Sequence, residues 1–428
     1  MKRAIYRHCL STALLAGVML VGGQQVRAED DLPPYVMLRS LQFVQDSVVR
    51  GDHSAVEMQR FLINTLDKRL RSADASVFQD TRNVDAVFIY AMSGGNPATL
   101  EYLVSRDVQG NFDSRVSDAL RKYLSGKGTS TTRSISDMVP EYLNTGIGPY
   151  LALVTGNITI ASNAENALGY FDQARLSAPG TIIEEAALRR SLSISLQTHM
   201  VKKGLFYASR YARSFPFSPY ASQFADMFVQ LVVENYGAVT QDDMDSIVAL
   251  LDAQRGREIY LRIARRANLV GNKDLARIAA SQADKIVGDV ADGRRSLPSL
   301  YEGMANISTP DVVAASQAIS EIPDEQLSDR DRALRNAAQS VAAQILQKPD
   351  ASSLTQAIAP RVDKQTDASL TALRAEPSSA AAGNQSATNP LAQTTVGGEA
   401  DKVVHDFVSQ GRSKLTQIDE LLAQESAK

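Results

Sequence analysis

Apolar positions along this chain recur at helical spacing and are cut by short runs of Gly, Pro, Asn and Asp. After Pro33 and Pro34, the residues Leu38, Leu41, Val44, Val48 and Val49 fall on one helix face, and Gly51-Asp52 ends the run. Ala55, Met58, Leu62, Leu66 and Leu70 then predict a second helix, so the pair reads as a helical hairpin. The same punctuation returns at Gly95-Asn96, Gly156-Asn157 and Gly271-Asn272, where Gly ends one helix and Asn caps the next. Pro97 behind Asn96 suits a first helical position. No stretch alternates with a sustained period of two, so strands are expected to be few or absent.

The clearest pattern runs from Asn163 to Tyr220. NAENALGYFDQARLSAP closes at Pro179, and KGLFYASRYARSFPFSP closes its helix at Pro216, 37 residues on. Aligned on these prolines, Ala167-Leu168-x-Tyr170 matches Gly204-Leu205-x-Tyr207, and Ser177 matches Ser214. Between them Thr181 and Glu184 predict a capping box, and Gly204 is expected to break the middle helix. A period near 34 with small residues, an aromatic and a closing Pro is the grammar of tetratricopeptide-like hairpins. The expected fold is therefore all-α, an α-solenoid of helical hairpins.

Further along, Ser218-Pro219 reads as a helix start, Thr240 with Asp243 as a capping box, and later helices begin at Thr309-Pro310-Asp311 and near Ser328. Residues 125–149, with SGKGTSTTRS and LNTGIGP, read as a flexible boundary between an N-terminal helical lobe at 29–124 and the solenoid at 150–348. Residues 349–400 are rich in Ala, Ser, Thr, Gln and Pro and read as a disordered linker. Val404, Phe407, Val408, Leu415, Ile418, Leu421 and Leu422 give 401–428 the pattern of a C-terminal amphipathic helix, which needs a surface to dock on.

The N-terminus changes the compartment. Lys2, Arg3 and Arg7 precede the apolar run CLSTALLAGVMLVGG, and Val26-Arg27-Ala28 offers small residues for cleavage before Glu29. Residues 1–28 thus read as a signal peptide, the run being short of the roughly 20 residues a spanning helix needs. The single cysteine, Cys9, lies within it, so the exported remainder is expected to hold no disulfide, thiolate metal site or cysteine nucleophile. That remainder carries 41 of the 45 Lys and Arg against all 48 acids, a net charge near −7, which argues against nucleic acid.

Candidate chemistry is sparse. His53, His199 and His405 stand alone, without metal-ligand spacing. Gly126-Lys127-Gly128-Thr129 fails the phosphate-loop pattern, because Arg121 stands where its first Gly belongs and Gly128 where Ser or Thr must follow Lys127. Gly146-Ile147-Gly148 lacks the third glycine of a dinucleotide turn, Leu151 standing in its place. Asp242, Asp243 and Asp245 read as first-turn acids rather than calcium ligands, and Glu184-Glu185 reads the same way. No GxSxG is present, and Glu425-Ser426 lacks the follow-on of exported muramidases. No cofactor is expected.

The most concentrated feature is aromatic: Phe206, Tyr207, Tyr211, Phe215, Phe217 and Tyr220 fall within fifteen residues. Core packing accounts for most of them. Tyr207, Tyr211, Phe217 and Tyr220 are the candidates for a partner-binding groove of the kind solenoids present.

The order of features resembles a known family. A signal ending VRAED, then LPPYVMLRSLQFVQDSVVRGDHSA, FIYAMSGGNPATLEYL, ALGYFDQARLSAPGTIIEEAALRRS and KGLFYASRYARSFPFSPY are together similar to the MotC family of periplasmic motility proteins, found with the flagellar motors of α-proteobacteria. The resemblance implies a non-enzymatic periplasmic protein that binds the periplasmic part of the stator protein MotB and is needed for flagellar rotation. Two other readings stand beside it. One is an exported enzyme acting on cell-wall glycan; the other is a scaffold for some other envelope assembly.

Overall fold

A computed structural model describes residues 32–286 and 296–348, so the calls on 1–28, on 349–400 and on the C-terminal amphipathic helix at 401–428 lie outside the described residues. Among the described residues the regular structure is helical, with three short 3-10 turns and one isolated bridge, Tyr236 to Val239. The helices are α1 (Pro34–Val49), α2 (Ala55–Ser72), α3 (Thr81–Met92), α4 (Pro97–Ser105), α5 (Ser114–Leu124), α6 (Thr132–Tyr142), α7 (Gly148–Thr159), α8 (Ala164–Ser177) and α9 (Ile182–Gln197). They continue with α10 (Val201–Ser214), α11 (Ala221–Glu234), α12 (Gln241–Val248), α13 (Ala253–Leu269), α14 (Lys273–Lys285), α15 (Leu297–Asn306), α16 (Val312–Ser320) and α17 (Asp329–Leu346).

Local chemistry sets the ends. Asn96 caps α4 by accepting from the Ala98 N–H, and Pro97 occupies the first helical position. Thr240 and Asp243 form a complete capping box on α12. At Thr181 the box is shared differently: its hydroxyl accepts from Ile183, and the Glu184 carboxylate accepts from the Gly180 N–H at 2.6 Å. The helix expected at Ser218 begins at Ala221, because the Ser218 hydroxyl instead holds a turn through the Tyr220 N–H.

Two glycines expected to end helices lie inside them. Gly156 sits within α7, where a Cβ would come within 2.7 Å of the Phe171 ring. Gly204 sits within α10, where a Cβ would meet Leu231 at 3.0 Å. Both are places of close helix approach. The turn after α9 is made by His199, whose φ of 55° puts a non-glycine residue in the left-handed region.

Residues 125–149 do not form a flexible loop. Ile135, Met138 and Val139 recur at i, i+3 and i+4 and are buried by α6, a short apolar stripe masked in the sequence by its Gly, Ser and Thr surroundings. The far end is tied back to the start of α5: Tyr142 donates to Asp113 at 2.7 Å, and Arg115 bridges Asp113 and Glu141 at 2.9 and 2.8 Å.

From α7 onward most contacts join helices one or two apart in sequence, including α9 with α11, α10 with α12, α11 with α13, α13 with α15 and α15 with α17. The 37-residue register appears in the ends, since α8 and α10 are both 14 residues long and stop at Ser177 and Ser214. Helix α1 departs from this near-neighbour pattern and packs against α9. There Asp46 accepts from the Ile182 N–H at 2.9 Å, so a carboxylate 136 residues away caps α9. Gly51, at φ +114°, lets the α1–α2 turn pass the Phe217 side chain; a Cβ there would lie 2.6 Å from Phe217 Cβ.

Candidate functional site

The segment from α8 to α13 holds all four candidate residues but divides them. Tyr207 and Tyr211 share one face of α10 and are buried, at 2% and 0% exposure. They cannot present a groove, and that expectation is corrected: the apolar face of α10 is the one it turns to the core. Phe217 and Tyr220, in the link from α10 to α11, are 46% and 42% exposed.

The two buried tyrosines are polar staples. Tyr207 donates to Asp172 on α8 at 3.1 Å, and Tyr211 donates to Glu185 on α9 at 2.8 Å. Burial first, then the facing carboxylate, pushes the Tyr207 hydroxyl up to about 12 and raises Tyr211 further. Tyr211 also stacks on Phe224 with ring centres 4.5 Å apart, and Phe224 continues onto Phe228.

Glu185 lies in the first turn of α9, as its sequence position suggested, and is fully buried there. Its carboxylate meets Arg189 at 3.0 Å one turn along α9. The pairing of Glu185 with Arg189 at i, i+4 was readable; its burial under Tyr211 was not, because it depends on a helix 26 residues away.

Each exposed ring carries a guanidinium. Arg189 lies 4.3 Å from the centre of Tyr220, and Arg255 lies 4.2 Å from the centre of Phe217. Beside them opens a cleft of about 530 Å³ between α11 and α13, lined in part by Pro216, Ala221, Ser222, Phe224, Arg255 and Arg262. Its arginines are held in place: Arg255 pairs with Asp252 at 2.5 Å, and Arg262 with Asp226 and Glu258 at 2.9 and 3.0 Å. Arg189 and Arg255 were missed by sequence reasoning, which had no signal for which guanidinium would cover which ring.

Among the described residues no three His, Cys, Asp or Glu side chains are grouped to hold a metal ion. No helix among them is long and apolar enough to cross a membrane. Phe217, Tyr220 and the guanidinium groups over them lie beside a cleft that Pro216 and Arg255 help to line.

The described residues thus form an all-α protein that carries an exposed aromatic and arginine patch. It belongs to the MotC family: the family profile, described as chemotaxis protein MotC, matches residues 1–427. The chain is 46% identical over 421 residues to chemotaxis protein MotC of Rhizobium meliloti (strain 1021), covering 96% of this chain and 97% of that protein. No solved structure matches it. Membership gives the chain a role in chemotaxis and motility.

Proposed function

We propose that this chain is a non-enzymatic periplasmic interaction protein that binds the periplasmic part of the stator protein MotB and supports flagellar rotation. The observation that carries the reading is a family match running over the whole chain. The export step rests on the signal pattern of residues 1–28. The contact surface in this reading is the patch of Phe217, Tyr220, Arg189 and Arg255, since buried Tyr207 and Tyr211 serve the core.

The helices are read as tetratricopeptide-like hairpins stacked into an α-solenoid. Near-neighbour packing and the matched ends of α8 and α10 support that arrangement.

A clean deletion tests the function. Deleted cells should build flagella yet fail to swim, and the chain restored with its signal should rescue them. Normal swimming after deletion would refute the proposal, as would release of muropeptides from purified peptidoglycan by the purified protein.

A further inference from the structure

A second surface lies on α10 itself, before the link that carries Phe217 and Tyr220. Residues 186–225 contain no acid but six Lys and Arg, in a chain whose acids outnumber its bases overall. Four of the six, Lys202, Lys203, Arg210 and Arg213, lie on α10, which has no acidic residue, and all four are exposed. Among the described residues none of the four has a carboxylate within ion-pair distance. The α11–α13 cleft differs, because Arg255 and Arg262 are paired there.

These cations are ordered. Lys202, Phe206, Arg210 and Arg213 follow at i, i+4, i+8 and i+11, which keeps them on one helix face over about 16 Å at 1.5 Å rise per residue. Phe206 is 43% exposed, and Arg175 and Arg210 each lie 5.4 Å from its ring centre. The ring is thereby fixed as an apolar post within a row of charge.

We propose that this face of α10 docks an acidic segment of a protein partner, with carboxylates meeting Lys202, Arg210 and Arg213 and an apolar side chain resting on Phe206. Charge complementarity selects the occupant: unpaired cations in one row attract carboxylates and exclude basic partners. An anionic lipid surface fits less well. A helix that lies in a membrane interface needs a free apolar face, and α10 buries its own as Gly204, Tyr207, Ala208, Tyr211 and Ala212. The inference rests on the reading that the chain works by binding a protein.

The test uses the full exported protein, a labelled Glu-rich amphipathic helical peptide, vesicles containing phosphatidylglycerol, and the periplasmic segment of MotB. The triple variant Lys202→Glu, Arg210→Glu, Arg213→Glu and the single variant Phe206→Ala are compared with wild type, thermal melting being the check on folding. Wild type should bind the peptide, the triple variant at least about tenfold more weakly at low salt, and the difference should shrink near 0.5 M salt, where the Debye length is only about 4 Å. Phe206→Ala should weaken binding while the salt dependence persists. Equal binding by wild type and triple variant, no peptide binding, or binding to vesicles in place of peptide overturns the proposal. If the MotB segment fails to bind wild type while the acidic peptide binds, the stator assignment falls and this surface stands. If the segment binds wild type and triple variant alike while the peptide distinguishes them, both readings stand, with the segment on the Phe217 and Tyr220 patch; if the peptide fails to distinguish them as well, this surface falls and the stator assignment stands.

Discussion

The Tyr211 hydroxyl donates to the fully buried carboxylate of Glu185 at 2.8 Å, joining α10 to α9, where half-buried Arg189 meets both Glu185 and the exposed Tyr220 ring. It is one of a set. Tyr90 with Asp67, Tyr142 with Asp113, Tyr207 with Asp172, Tyr260 with Asp245 and Tyr301 with Asp331 repeat the arrangement between other pairs of elements. A helical stack with few aromatic residues uses its tyrosines twice, as apolar filling and as polar ties between neighbours.

The first prediction concerns that pair. Tyr211→Phe keeps the ring stack on Phe224 but leaves Glu185 a donor short, which should cost about 1–3 kcal/mol. Arg189→Ala removes the only cation paired with that buried carboxylate among the described residues and should cost more, about 3–5 kcal/mol. Urea melts read both, and a Tyr211→Phe variant as stable as wild type would show that the hydroxyl contributes nothing.

The second prediction separates core from surface. Tyr211→Ala should destabilise by about 3–5 kcal/mol through the cavity it leaves. Phe217→Ala and Tyr220→Ala, at exposed positions, should shift stability by about 1 kcal/mol or less. Thermal melts of the three side by side check the assignment, and comparable losses in all three would refute it.

The third prediction contrasts two helical glycines. Gly156→Ala drives a methyl into the buried Phe171 ring and should destabilise by about 1–3 kcal/mol. Gly204→Ala presses on the terminal methyls of Leu231 and meets Ser195 Cβ at ordinary contact distance, and Ala is the better helix former by about 1 kcal/mol, so its net effect should be near zero. Denaturant midpoints give the order directly.

The fourth prediction is a pH dependence. Burial pushes the Asp113 carboxyl up, but the Arg115 side chain, the Tyr142 hydroxyl and the Arg115 N–H together hold it at about 2 against 3.8 for the free group. A folded-state value below the unfolded one means stability that is present above pH 4 and lost as pH falls through about 2. Asp113→Asn should therefore flatten the stability profile between about pH 4 and pH 2 while lowering stability at neutral pH. An unchanged acid limb would contradict the assignment.

Much of the helical layout was legible because capping and apolar spacing are local. Asn96-Pro97 and the Thr240 to Asp243 box were readable from adjacent residues, and so was the matched close of α8 and α10. What was not legible depends on other helices. Gly156 and Gly204 look like breaks in sequence, but the space they leave is filled by Phe171 and Leu231. His199 gives no sign that it will take the left-handed position. Of the four candidate residues, Phe217 and Tyr220 reach the surface; Tyr207 and Tyr211 do not, because the apolar spacing that put them on one face is also what buries that face.

The protein is proposed to work by binding the periplasmic segment of MotB through the Phe217 and Tyr220 patch. Titration of that segment against the purified exported chain tests it most directly, with the Phe217→Ala, Tyr220→Ala double variant in parallel. The account predicts saturable binding by wild type and at least about tenfold weaker binding by the variant at an unchanged melting temperature. No binding by wild type, or equal binding by the two, would contradict it.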